Sequence, residues 1–110
     1  MKQNEFTTIF KKLRENKGLT FRSLADSLGI SVSYVFDIES GNRAPTQKLI
    51  ESMIMFYNLN HEQQRFLYDA AAQATDALPY DVVEFLKAHP DELKKIVDTM
   101  KVENQKTRNR

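Results

Sequence analysis

The residues best placed to do chemistry lie in the segment LTFRSLADSLGISVSYVFDIESG, residues 19–41. A short amphipathic stretch ends there at Gly29, and Ser31, a residue type favoured at helix N-caps, begins a second one. Helical spacing turns Val35 and Ile38 of this second helix inward. Its outward positions are Val32, Ser33, Phe36, Asp37 and Ser40. A short helix with such an outward face can enter the major groove of DNA.

No other group of residues has the spacing of a catalytic or metal site. The two histidines, His61 and His89, are far apart in the sequence, and His89 precedes Pro90, where a helix cap is expected. Carboxylates follow Pro79 and Pro90 in the first turns of predicted helices, where the helix dipole favours negative charge. The sequence has no cysteine and no glycine-rich phosphate loop. We therefore predict that the protein is not an enzyme and has no metal site and no cofactor.

Helical periodicity predicts the elements that position the segment. Apolar residues recur at helical spacing over residues 4–16 and indicate a first helix. Thr20 is the expected cap of the second helix, and the glycine and proline of residues 41–45 end the third. A fourth helix follows from Thr46, and a fifth runs from residue 60 to about 74. No run alternates apolar with polar residues as a strand does, so the sequence predicts an all-α fold.

The second half of the chain predicts two further helices, because Pro79 and Pro90 each suit the first position of a helix. We expect residues 76–102 to form a short helical extension and residues 103–110 to form a polar, frayed tail. The extension has more apolar residues than the first five helices need, so we predict that it joins two copies of the chain. The alternative is that these helices only pad their own core. The residues assigned to dimerisation are Tyr80, Val83, Phe85, Leu86, Ile96 and Met100.

Charge and composition restrict how the chain can bind a partner. The net charge of the 110 residues is +1, with eight basic against six acidic side chains in residues 1–60 and eight against nine in residues 61–110. DNA binding would therefore depend on helix geometry and a few placed cations rather than on a broad positive field. The chain begins without the apolar run of a signal peptide, and no segment has the roughly 20 apolar residues of a membrane helix. We expect a cytoplasmic protein with no membrane partner.

The run LADSLGISVSYVFDIESGNRAP resembles the helix-turn-helix signature of the lambda Cro/C1 repressor family, also called the XRE family. The likeness covers about residues 5–60 and depends on the Leu-Ala, Gly-Ile-Ser, Ile-Glu-Ser-Gly and closing proline elements in combination. It implies a five-helix, lambda-repressor-like DNA-binding domain in residues 1–75, with the motif at about 20–40, and a two-helix C-terminal extension. Two amphipathic helices that merely pack on a core are the alternative.

The resemblance also implies roles for individual residues. Residues 31–40 match the recognition helix, and residues 20–28 match the helix that crosses the DNA backbone. Val32, Ser33 and Asp37 match positions that reach base edges. Valine suits a thymine methyl, serine a base or a phosphate, and aspartate a cytosine amino group. For each, the alternative is a solvated surface residue without a DNA contact. Contacts to the DNA backbone are expected from Thr20, Arg22, Tyr34, Asn42, Arg43 and Lys48.

Three other residues bear on the resemblance. Phe21 stands where the family often has glutamine, so one polar contact is missing, and Phe21 is either a core residue or a contact to DNA sugar. Arg14 and Glu39 match a pair that forms a buried ion pair in several family members, tying the first helix to the end of the third. Two unrelated surface charges are the alternative to this pair.

The resemblance implies a sequence-specific transcriptional regulator. Because one recognition helix reads only a few base pairs, we expect a homodimer that binds double-stranded DNA at an operator with dyad symmetry, acting as a repressor. The alternative is an antitoxin-like or adaptor module that binds another protein, with or without DNA binding.

Overall fold

The computed structural model describes residues 3–108, with side chains described as far as residue 105. This part of the chain contains helices and no strand, which confirms the predicted all-α fold. The seven helices are α1 (Glu5–Asn16), α2 (Phe21–Leu28), α3 (Val32–Glu39), α4 (Gln47–Tyr57), α5 (His61–Thr75), α6 (Tyr80–Ala88) and α7 (Pro90–Arg108).

Polar side chains fix the starts of the first five helices. The N-cap residues are Asn4, Thr20, Ser31, Thr46 and Asn60, and each side chain accepts a hydrogen bond from a backbone N–H in the first turn of its helix. Such a bond satisfies one of the donors that a helix start leaves free and is worth about 1 kcal/mol. The caps predicted at Thr20 and Ser31 are confirmed. Asn60 and Gln63 cap each other reciprocally at the start of α5.

The turn between α2 and α3 depends on Gly29. This residue has φ of +69°, a left-handed conformation that costs residues with a Cβ about 1 kcal/mol or more. The following N–H, of Ile30, donates to the carbonyl of Ala25 at 3.0 Å, which ends α2 abruptly. As a result only three residues separate α2 from α3.

The core of the five-helix unit is formed by side chains from every one of α1 to α5. Val35 and Ile38 are fully buried, as their spacing predicts, so α3 is held by its inner face. The prediction that Ser40 faces outward is wrong, because Ser40 is only 6% exposed. The Ser40 hydroxyl donates to the carbonyl of Asp37 at 3.3 Å, so it is satisfied within the folded chain, and α3 packs against α1. The largest fully buried side chains are Phe6, Phe10, Leu24, Val35, Ile38, Ile50, Met53 and Leu67.

Arg14 and Glu39 form the ion pair that links α1 to the end of α3. Arg14 Nε lies 2.8 Å from Glu39 Oε1, and Arg14 Nη2 lies 3.0 Å from Glu39 Oε2, so the contact is bidentate. Their side chains are only 14% and 11% exposed. Arg14 Nη1 also donates to the carbonyl of Leu19 at 2.9 Å, which fixes the chain just before α2. The hydrogen bond to Glu39 raises the pKa of Arg14, which keeps the guanidinium charged.

The chain divides into two compact units, with the division between Pro79 and Tyr80. In the second unit α6 and α7 pack on each other. His89 lies between them: its Nδ1 is 2.7 Å from the carbonyl oxygen of Phe85, and its ring stacks on Phe85 with 4.0 Å between centroids. The histidine thus caps the end of α6, in agreement with its predicted role as a helix cap.

Helix α7 is longer than the sequence analysis expects. It continues to Arg108, although we expected a frayed tail from residue 103. Residues 101–108 contain neither glycine nor proline, so nothing in their sequence stops the helix. Residues 109 and 110 of the expected tail lie outside the described residues. No helix in the described range is both long enough and apolar enough to cross a bilayer.

The ion pair predicts a non-additive double-mutant cycle. Arg14→Met leaves the Glu39 carboxylate buried without its partner, so we expect the free energy of unfolding to fall by about 3 kcal/mol. Glu39→Met should cost a similar amount, and the double variant much less than the sum, since it buries no charge. Urea denaturation of the four proteins measures the cycle. Asp69→Asn, which breaks an exposed pair with Arg65, is the control and should cost under about 1 kcal/mol. Additive losses would contradict a desolvated pair.

The raised pKa of Tyr57 predicts that the protein loses stability at alkaline pH. Burial raises the pKa of Tyr57 to about 12, while nearby Arg14 lowers it and Glu39 raises it. The folded chain then holds this proton more tightly than the unfolded chain, so the stabilisation is complete below about pH 10 and is lost as the pH rises towards 12. Tyr57→Phe has no such proton. The free energy of unfolding of Tyr57→Phe should therefore increase relative to that of the wild type as the pH rises from about 10 to 12. A constant difference over this range, measured by urea denaturation, would contradict the assignment.

Candidate nucleic-acid interface

The outward face of α3 carries two parallel rows of side chains. Val32 and Phe36 are one helical turn apart and form an apolar row, while Ser33 and Asp37 form a polar row beside it. Ser33 and Phe36 are exposed, and Val32 and Asp37 are half-buried. The N–H of Tyr34 donates to Ser31 Oγ at 3.0 Å, so the cap holds the first turn in place. An apolar and a polar row side by side match the mixture of methyl groups, donors and acceptors on base edges.

Arg43, in the loop after α3, folds back on the polar row. Its guanidinium lies 5.2 Å from the centre of the Tyr34 ring, and its Nη2 lies 3.9 Å from Asp37 Oδ2. The backbone N–H groups of Asn42 and Arg43 both donate to the carbonyl of Asp37, at 2.9 and 3.2 Å, which anchors the loop to the helix. The side chain of Arg43 remains 59% exposed. The arginine therefore offsets the charge of Asp37 while keeping its own donors available.

The structure brings some of the sequence-predicted residues together and leaves others apart. Ser33, Tyr34, Asp37 and Arg43 line one shallow depression. Lys48, at the start of α4, lines a neighbouring depression that also includes Tyr34 and the turn at Gly29. The described residues that line these two depressions do not include Thr20, Arg22, Val32 or Asn42. All of these except the half-buried Val32 are exposed.

The start of α2 presents one hydroxyl and one cation. Thr20 Oγ1 accepts from the N–H of Ser23 at 3.1 Å, and the N–H of Thr20 donates to Ser23 Oγ at 2.8 Å. The Thr20 hydroxyl is therefore engaged within the cap, although it remains exposed. Arg22, in the first turn, is exposed to solvent. A helix start with an exposed arginine attracts phosphate through both the backbone N–H groups and the side-chain charge.

Phe21 is half-buried and belongs to an aromatic pair that the sequence analysis misses. Its ring lies edge-on to that of Phe36, with 6.2 Å between centroids and 72° between planes. The guanidinium carbon of Arg14 lies 4.7 Å from the centre of the Phe21 ring on its way to Glu39. Phe21 is thus a contact between the ion pair and the outward face of α3. The sequence predicts that Phe36 faces outward, but it does not indicate that Phe21 is the residue that Phe36 contacts.

The comparison with known proteins agrees with this arrangement. A protein-family model described as helix-turn-helix matches residues 10–64, which is half of the chain and includes all of α2 and α3. The chain belongs to the helix-turn-helix family. This confirms the XRE-type resemblance that the sequence motif indicates.

One relative gives the same assignment for part of the chain. The helix-turn-helix chain is 36% identical over 53 residues to YazB of Bacillus subtilis (strain 168), named as an uncharacterized HTH-type transcriptional regulator. The aligned region covers 48% of this chain and 77% of YazB. No solved structure matches the chain significantly.

In the described part of this helix-turn-helix protein, the histidines and carboxylates do not converge on a metal site. Within residues 3–105, no three His, Cys, Asp or Glu side chains lie close enough together to hold a metal ion. His61 is exposed at the first position of α5, and the ring of His89 is engaged by Phe85.

The residues assigned to dimerisation all lie in the second unit. Phe85, Ile96 and Met100 are 52%, 45% and 56% exposed, whereas Tyr80, Val83 and Leu86 are half-buried. Leu93 and Val97 join Ile96 and Met100 on one side of α7 at spacings of three and four residues. We refer to these four side chains as the α7 stripe. A helix of a folded protein with such a stripe in solvent usually has a partner for it.

Proposed function

We propose that this protein is a sequence-specific DNA-binding transcriptional repressor that acts as a homodimer in the cytoplasm. The observation that carries the proposal is the outward face of α3, which a helix-turn-helix protein offers to solvent with Arg43 beside it. Repression requires only that the protein occupy its DNA site, whereas activation requires a further contact to polymerase.

In this proposal the first turn of α3 enters the major groove. Val32 and Ser33 contact base edges, the valine at a methyl group and the serine at a donor or acceptor. Asp37 accepts from a cytosine amino group, because Arg43 offsets the repulsion between its carboxylate and the phosphates. The contacts proposed to the DNA backbone come from Thr20, Arg22, Tyr34, Asn42, Arg43 and Lys48.

The weak net charge supports selective rather than general DNA binding. With a net charge of +1, the chain gains little from attraction to phosphates along the whole duplex. Affinity must then come from base contacts and from a few phosphate contacts near α3. We therefore propose a dependence of binding on salt that reflects only these few phosphate contacts, and a large difference between specific and non-specific DNA.

Dimerisation is proposed through the α7 stripe and Phe85. One α3 helix reads only a few base pairs, so two copies related by a two-fold axis would double the length of the site. Four exposed apolar side chains on one side of α7 supply a surface that two copies can bury against each other. The operator would then have dyad symmetry, with half-sites about one DNA turn apart.

A second candidate function is an antitoxin-like or adaptor module that binds another protein. The observation in its favour is an apolar groove between α1 and α5, lined by Ile9, Leu13 and Phe66 among others, with Phe66 57% exposed. If the first proposal holds, substitutions of the residues that line this groove should leave DNA binding unchanged.

The proposed contacts predict two distinct kinds of DNA-binding defect. The test uses a duplex that the protein selects from a random library. Val32→Ala with Ser33→Ala should change the preferred sequence, because these side chains contact base edges. Arg43→Ala should weaken binding to all sequences and reduce the slope of log affinity against log salt by about 2, because it removes one phosphate contact from each of the two copies in the dimer. Lys12→Ala, which removes an exposed charge on α1, is the control and should change neither. Unchanged binding in both variants would refute the site.

The α7 stripe predicts which surface substitution makes a monomer. Ile96→Lys places a charge in the proposed interface, so we expect the mass measured by light scattering to fall from that of a dimer to that of a monomer. Asp98→Asn changes the net charge by the same amount on the other side of α7 and should remain a dimer. A wild-type monomer, or a dimer that survives Ile96→Lys, would contradict the assignment.

A further inference from the structure

Phe36 is a large aromatic side chain in solvent on the face of α3 that the proposed function directs to DNA. It is 45% exposed and lies one helical turn after Val32, so it extends the apolar row towards the C-terminal end of α3. The core does not enclose this side chain, since the buried residues of α3 are Val35 and Ile38. The position of Phe36 therefore calls for an explanation from outside the folded unit.

The ring of Phe36 is held in place by its neighbour. Phe21 supports it edge-on at 6.2 Å between centroids, and Phe21 is in turn covered by the guanidinium of Arg14 at 4.7 Å. Arg14 is fixed by its bidentate contact to Glu39. An exposed side chain that is already fixed loses little conformational entropy when it makes a contact, so this ring is prepared for binding.

Base edges in the major groove offer one apolar group, the methyl on carbon 5 of thymine, among hydrogen-bond donors and acceptors. A phenylalanine against the donor and acceptor atoms of other bases would exclude water from them without replacing its hydrogen bonds. The same ring against a methyl group gains from burial of both apolar surfaces. The apolar row is therefore complementary to 5-methylpyrimidines.

We infer that Phe36, supported by Phe21, is a specificity-determining residue that contacts the 5-methyl group of a pyrimidine in the major groove of the operator. This inference rests on the proposed DNA-binding function. It adds a base contact to those of Val32, Ser33 and Asp37 and gives its chemistry. Thymine and 5-methylcytosine carry the same methyl group, so both are ligands of this kind.

The test removes single methyl groups from the duplex that the protein selects from a random library. Each thymine is replaced in turn by deoxyuridine, which lacks only the methyl. With the wild-type protein, at least one replacement should weaken binding about four- to tenfold, as the loss of one buried methyl predicts. Phe36→Ala should bind equally well to duplexes with thymine and with uracil at that position. At positions contacted by Val32 the variant should keep its preference for thymine.

Two further variants separate a methyl contact from a general defect. Phe36→Leu keeps an apolar side chain and should keep part of the discrimination between thymine and uracil. Phe66→Ala removes another exposed phenylalanine, which lies on α5, and should keep all of it. At the sensitive position, replacing thymine by cytosine should weaken binding, and replacing it by 5-methylcytosine should restore part of the affinity. This arm distinguishes the methyl group from the rest of the base.

The inference is overturned if no thymine is sensitive to loss of its methyl, or if Phe36→Ala weakens binding but keeps the ratio of thymine to uracil affinity. The second result would assign Phe36 to general support of α3, or to contact with a protein. A protein that selects no DNA at all would refute the proposed function itself, and this inference with it. The two failures are distinguishable, because the first requires a duplex that is bound.

Discussion

The guanidinium of Arg14 is the point on which the outward surface of the helix-turn-helix unit depends. It pairs with Glu39 at the end of α3, donates to the carbonyl of Leu19 before α2, and covers the ring of Phe21. One side chain of α1 therefore contacts both helices of the motif, α2 and α3. Because the pair is almost completely buried, a lost partner would leave a charge that the site cannot solvate.

This arrangement separates support from recognition. The inner face of α3 is buried by Val35 and Ile38, and the ion pair holds its far end, so the outward face carries no structural duty. If the protein binds DNA as we propose, the outward side chains can vary with the DNA sequence that is read, without loss of the fold. The exception is Phe36, which connects the two sides through Phe21. In our proposal the same contacts that stabilise α3 also orient one of its base contacts.

The sequence predicts the local signals well and the non-local ones poorly. Thr20, Gly29 and Ser31 act within a few residues, so their types alone locate the caps and the turn. The outward position predicted for Ser40 was wrong, because its burial depends on tertiary packing that the periodicity of α3 alone does not give. The pairing of Phe21 with Phe36 and the return of Arg43 to Tyr34 and Asp37 depend equally on tertiary packing. The ion pair could be anticipated only through the family resemblance.

The most direct test of the central claim is an NMR titration of the full chain with the duplex that it selects. The claim is that the outward face of α3 contacts DNA. It predicts that the amide resonances of residues 31–37 and of Arg43 shift most, with smaller changes at the start of α2. Resonances of α3 that stay unchanged while those of α7, or of the groove between α1 and α5, shift instead would contradict it.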